Sequence, residues 1–137
     1  MDATKIIALV SQASTLHELP DLIRELENVE PELLFDTLFP IAVRSQGGNN
    51  GPVAFSAYVI HAMNPPCPLA PGDALSEMVK QEWDISIEEV PWYLANQFGA
   101  DELLTSIAAA LSNEANEAAR TRLETVRFWV GLNPKIA

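Results

Sequence analysis

The stretch SIEEVPWYLANQFGADELL, Ser86 to Leu104, has a near copy earlier in the chain: TLHELPDLIRELENVEPELL, Thr15 to Leu34. Both open on a hydroxyl residue, place Glu three positions on, continue with an aliphatic residue and Pro, and close on Glu-Leu-Leu. Ser or Thr followed by Glu at that spacing is a capping-box pattern, in which hydroxyl and carboxylate each satisfy an orphan amide at a helix start. Each copy therefore reads as a helix opening, with Pro20 and Pro91 in the first turn, where a missing N–H costs least. Glu-Leu-Leu then starts a second helix. Two helices joined by a short turn cannot bury their apolar stripes alone, and stacking a similar pair against them supplies the missing neighbour. The expected fold is all-α: a compact stack of antiparallel helix pairs in a single domain, 1–137, with a degenerate repeat over 15–45 and 86–112.

Outside the two copies the chain keeps helical periodicity. Ala3, Ile6, Val10 and Ala13 recur at three and four, as the buried face of a first helix would, and Leu16, Leu19, Ile23 and Leu26 continue such a stripe. ELLFDTLFPIAVRSQ reads as a helix that Pro40 bends or interrupts. GGNNG, Gly47 to Gly51, is a loop of residues that tolerate positive φ, after which Pro52 opens VAFSAYVIHAM, apolar on nearly all sides and so expected at the centre of the core. Four prolines between Pro65 and Pro71 exclude helix there and favour extended backbone. Asp73 is a candidate cap for ALSEMVKQEW, which makes Pro52 to Trp83 one more degenerate pair. A last helix, Glu114 to Val130, is expected to stop at Gly131 with Pro134 beyond.

Charge is the strongest compositional signal. The 137 residues carry 19 acids against 8 bases, a net charge of −11. Binding to a nucleic-acid backbone or an anionic membrane needs positive potential, so both are disfavoured, whereas a basic protein partner is compatible. Seven acids lie between Glu18 and Asp36 with only Arg24 opposing, and eight between Asp73 and Glu102 with only Lys80. Either stretch reads as a solvated helix face or as part of an interface. The lone Cys67 excludes an internal disulfide. With no basic-then-apolar leader and no window of about 18 apolar residues, a cytoplasmic protein off the membrane is the expectation.

LPDLIRELENVEPELLFDTL, Leu19 to Leu38, resembles a HEAT-type repeat: Leu-Pro-x-Leu-Ile, an acidic turn with Pro, then paired aliphatics. VPWYLANQFGADELLTSIAAAL, Val90 to Leu111, is similar but looser, with Tyr93 and Leu94 in the aliphatic places and Gly99 in the turn. The glycine-rich entry and proline-rich connection of the middle block depart from the pattern, so the resemblance covers about half the chain. It implies an α-α superhelix that presents a surface to partners, and no catalytic residues. The chain also resembles, on general character rather than on a motif, small acidic helical proteins of bacterial cassettes and toxin immunity.

No catalytic or metal constellation stands out. His61 and Cys67 are six apart and could form half of a Cys-His pair, but a nucleophile needs a third, orienting group and zinc needs four ligands. Adjacent Glu88 and Glu89 point about 100° apart on a helix, which does not make an acid-base pair. GGNNG lacks the Lys-Ser/Thr of a phosphate loop. Adjacent aromatics cannot both face one core, so Trp92-Tyr93 and Phe128-Trp129 should each leave one ring at an interface, a groove or a second neighbour. Acids rimming aromatic anchors suggest a binding surface built from Asp73, Glu77, Trp83, Glu88, Glu89, Trp92 and Tyr93. The expected function is a non-catalytic, cofactor-free module that binds or inhibits a basic protein, as an immunity or adaptor protein does. The alternative is a small helical enzyme or ligand-binding protein with a pocket near His61 and the 65–71 loop.

Overall fold

A computed structural model describes residues 1–45 and 51–132, and these are all-helical, with no strand among them. The helices are α1 (Ala3–Gln12), α2 (Leu19–Leu26), α3 (Pro31–Ala42), α4 (Pro52–Met63), α5 (Pro71–Lys80), α6 (Glu89–Phe98), α7 (Ala100–Asn113) and α8 (Glu117–Leu132), with a 3-10 turn, Leu16–Glu18, ahead of α2. Proline marks the beginnings: Pro31, Pro52 and Pro71 are first residues of α3, α4 and α5, and Pro20 is second in α2. Its fixed φ suits the helix and its missing N–H would have had no partner there. Pro40 lies within α3, which runs on two residues to Ala42 before ending. Pro40 is exposed, so the Asp36 carbonyl that loses its donor meets water. Most of the loop expected at Gly47–Gly51 lies outside the described residues, as does Pro134; α8 passes through Gly131 to Leu132 rather than stopping there.

The capping boxes do not form as the sequence suggests. The Thr15 side chain caps nothing, while the Glu18 carboxylate accepts from the Ser14 N–H at 2.9 Å and the Ser14 hydroxyl at 3.3 Å, one residue earlier than expected. Ser86 donates both its amide (2.9 Å) and its hydroxyl (2.8 Å) to the Asp84 carboxylate, and α6 begins only at Glu89. A charged acceptor two residues back outcompetes the capping geometry for those donors. Asp73 is the third residue of α5, not its cap, although its charge still sits in the positive first turn. The 3-10 turn resets the helical phase, so Leu22 and Leu26 are buried while Leu16 is 60% exposed.

Two apolar clusters share α3 and α4. Leu34 and Leu38 of α3 and Phe55 and Val59 of α4 join Ile6, Val10, Leu22 and Leu26 in the first. Phe35 and Phe39, stacked at 4.8 Å, with Val53, Ala57 and Ile60, face the larger second cluster, which α5 to α8 complete. A helix apolar all round must sit between two cores, and α4 does. It packs on α3, on α6, and on α1 and α2; α2 packs on α1 and α4, and α6 on α7 and α8. Thus α4 stands between the helices of the two similar stretches.

The C-terminal end of α5 sets the course of the chain into α6. The Glu82 N–H donates to the Val79 carbonyl at 3.2 Å and the Trp83 N–H to the Met78 carbonyl at 2.9 Å, the two bonds of a Schellman closure. Glu82 occupies its left-handed position, φ 58°, where a Cβ costs about 1–2 kcal/mol that glycine avoids. The closure drives Trp83 inward, fully buried beside Met78, with its indole N–H donating to the Ile87 carbonyl at 3.2 Å. Burying a side chain of that size contributes about 2–3 kcal/mol, which offsets the strain.

Candidate protein-interaction surface

Each aromatic pair divides as its spacing requires. Tyr93 is fully buried, and its hydroxyl donates to the Pro65 carbonyl at 2.8 Å. Trp92, one residue earlier and about 100° round α6, is half-buried and donates its indole N–H to the Trp129 carbonyl at 2.9 Å. On α8, Phe128 is 58% exposed while Trp129 is half-buried. The Trp129 indole N–H reaches the Ile85 carbonyl at 2.8 Å, tying α8 to the turn before α6.

These rings form one file. Phe128 meets Trp129 edge-on at 5.2 Å, Trp129 meets Trp92 edge-on at 6.4 Å, and Trp92 lies 5.7 Å from the His61 ring of α4. Exposed Ile85 and Leu132 extend the apolar end, Leu132 standing one turn beyond Phe128. Glu88 and Glu89, both half-buried, border the file at the start of α6. Their field reaches Tyr58 of α4: burial first, then Glu89 and Glu88, holds its hydroxyl above the usual tyrosine value. Burial also raises the Glu89 carboxyl, with Glu88 adding to the effect and the Glu89 backbone amide opposing it. The result is a half-desolvated acidic rim along an aromatic ridge.

Of the residues singled out in the sequence, Glu88, Glu89 and Trp92 come together here. Trp83 and Tyr93 belong to the core and present no ring to solvent. Asp73 is exposed on α5, and Glu77, one turn on, accepts from the Gln81 amide at 3.2 Å. Among the described residues no hydrogen bond, ion pair or ring contact links Asp73 or Glu77 to the Glu88–Trp92 segment. Tyr58 and Ile85 carried no sequence signal, because only packing places them beside α6 and α8.

The 64–70 connection is strapped to α6. Tyr93 holds Pro65, and the Gln97 side chain accepts from the Cys67 N–H at 2.9 Å and donates to the Asn64 side chain at 2.7 Å. The Cys67 thiol lies 3.7 Å from the Leu69 carbonyl, and burial outweighs its hydrogen bonds to push its pKa up. A raised thiol is a poorer nucleophile at neutral pH. His61 packs on Trp92 instead of completing a Cys-His pair. Among the described residues no three His, Cys, Asp or Glu side chains cluster as metal ligands, and no helix is long and apolar enough to cross a membrane. Comparisons with protein-family models, curated proteins and solved structures return no match to this chain.

Proposed function

We propose that the chain is a non-catalytic protein-binding module, of the immunity or adaptor kind, whose Phe128–Trp129–Trp92 ridge receives a basic partner. The observation that carries this reading is the continuity of the ridge: an exposed Phe and two half-buried Trp rings in contact, bordered by Glu88 and Glu89. Large amphipathic rings with locked rotamers are effective interface anchors because little side-chain entropy remains to be lost. The net charge of −11 and the acids at the ridge favour a partner of positive surface, and charge of this kind accelerates encounter more than it slows dissociation. The alternative, a ligand pocket beside His61 and the 65–71 loop, has less support, since the Tyr93 and Gln97 side chains strap that loop against α6.

The test places a photo-crosslinking amino acid at Phe128 and, as control, at exposed Ala108 of α7. Cross-linking to one basic protein from position 128 alone, with association slowed about tenfold at low salt by Glu88→Gln/Glu89→Gln, is the expected result. Equal labelling from both positions, or association indifferent to salt and to the Glu changes, overturns the reading.

A further inference from the structure

The strained turn at Glu82 rims two adjoining clefts of about 380 and 360 Å³ between the end of α5 and the first half of α8. Glu82, Ala118 and Arg122 line both, and Ile85 adds an apolar wall to the larger. Arg122 is half-buried, and its Nε–H donates to the Trp83 carbonyl at 3.2 Å, which fixes the guanidinium from the closure that Glu82 makes. Among the described residues that is the one polar contact of the Arg122 side chain, which forms no ion pair, with Glu82 or any other residue. A half-desolvated guanidinium thus keeps its paired Nη donors facing a cleft that also holds an exposed carboxylate not bonded to it.

The two charges select the ligand. The guanidinium fork matches a carboxylate in two parallel hydrogen bonds. A simple anion would meet Glu82, Asp84 and a protein of net charge −11, and a simple cation would meet Arg122. A zwitterion satisfies both, and exposed Ile85 with Ala118 offers apolar surface to a third group. We propose that this cleft binds a small apolar α-amino acid, its carboxylate on Arg122, its amine on Glu82 and its side chain against Ile85 and Ala118. The site is separate from the aromatic ridge, and the two proposals stand or fall independently.

The test is a proton–nitrogen NMR titration of the full chain with L-leucine, isocaproate, which lacks the amine, and isoamylamine, which lacks the carboxylate, at constant ionic strength. Leucine should give saturable shifts confined to Glu82–Ile85, Ala118–Arg122 and the Arg122 Nε–H signal, with each analogue at least about tenfold weaker. Arg122→Lys, which keeps charge but not the fork, should weaken leucine, and Arg122→Gln should abolish it. Glu82→Gly relaxes the left-handed residue, so the melting temperature should rise while leucine binding falls, separating loss of ligand from loss of fold. Shifts that grow linearly without saturating, equal responses to all three compounds, or a leucine titration unchanged in Arg122→Gln and Glu82→Gly overturn the proposal.

Discussion

The strap between α6 and the proline connection rests on one atom, the Tyr93 hydroxyl. Tyr93→Phe keeps the buried ring and its contacts with Phe35 and Phe39 at 6.3 and 6.4 Å, and removes only the 2.8 Å bond to the Pro65 carbonyl. That carbonyl belongs to a buried residue and has no other donor among the described residues, so the change leaves it unsatisfied. The cost of such a group is about 1–3 kcal/mol. For a chain of this length that corresponds to a fall in Tm of about 4–12 °C. The loss should also appear locally. Cys67 is held by this strap, so an opening made easier by the same amount should speed its reaction with a disulfide reagent by about 5- to 150-fold. Urea denaturation and thiol-modification rates read the two effects. Ile6→Val, which weakens the other cluster by about 0.5–1.5 kcal/mol, controls for global opening. A Tyr93→Phe protein with an unchanged midpoint and thiol rate, or a rate increase matched by Ile6→Val, would refute the strap.

Two further outcomes concern buried polar groups. Glu89 has a folded pKa above its unfolded value, chiefly through burial, so the unfolded chain releases this proton first as pH rises. Its cost to stability is absent below the unfolded pKa, grows through the window up to the folded pKa, and is fully present above it. Glu89→Gln should therefore gain on the parent protein as urea midpoints are measured from acidic to neutral pH; a parallel pair of curves would contradict the assignment. Ser56 is fully buried on α4 with no hydrogen-bond partner for its hydroxyl, so Ser56→Ala should be neutral or stabilising by denaturation. A loss above about 1 kcal/mol would mean that the hydroxyl is satisfied after all.

The sequence by itself determined what depends on local spacing and composition. Apolar recurrence at three and four is a property of one helix, so the all-helical class was legible, as was the central place of α4, whose apolar residues cover every side. Prolines at helix starts were legible because their constraint acts on their own φ and N–H. That one ring of each adjacent aromatic pair must turn away from the main core is also dictated by a rotation of about 100° per residue. Tertiary structure decided which ring. Tyr93 turned inward where the Pro65 carbonyl could accept its hydroxyl, and Trp92 toward Trp129, a partner 37 positions away. The caps were misread because Ser86 has a nearer, charged acceptor in Asp84, a competition that a four-residue pattern does not contain. Two stretches alike in sequence were likewise separated by α4, since similarity records which faces are apolar and not which neighbour covers them. Glu82 and Arg122, 40 positions apart, share a cleft only because the left-handed closure of α5 turns Trp83 into the core and leaves its carbonyl facing α8. No property of either residue type announces that meeting; it is a consequence of packing.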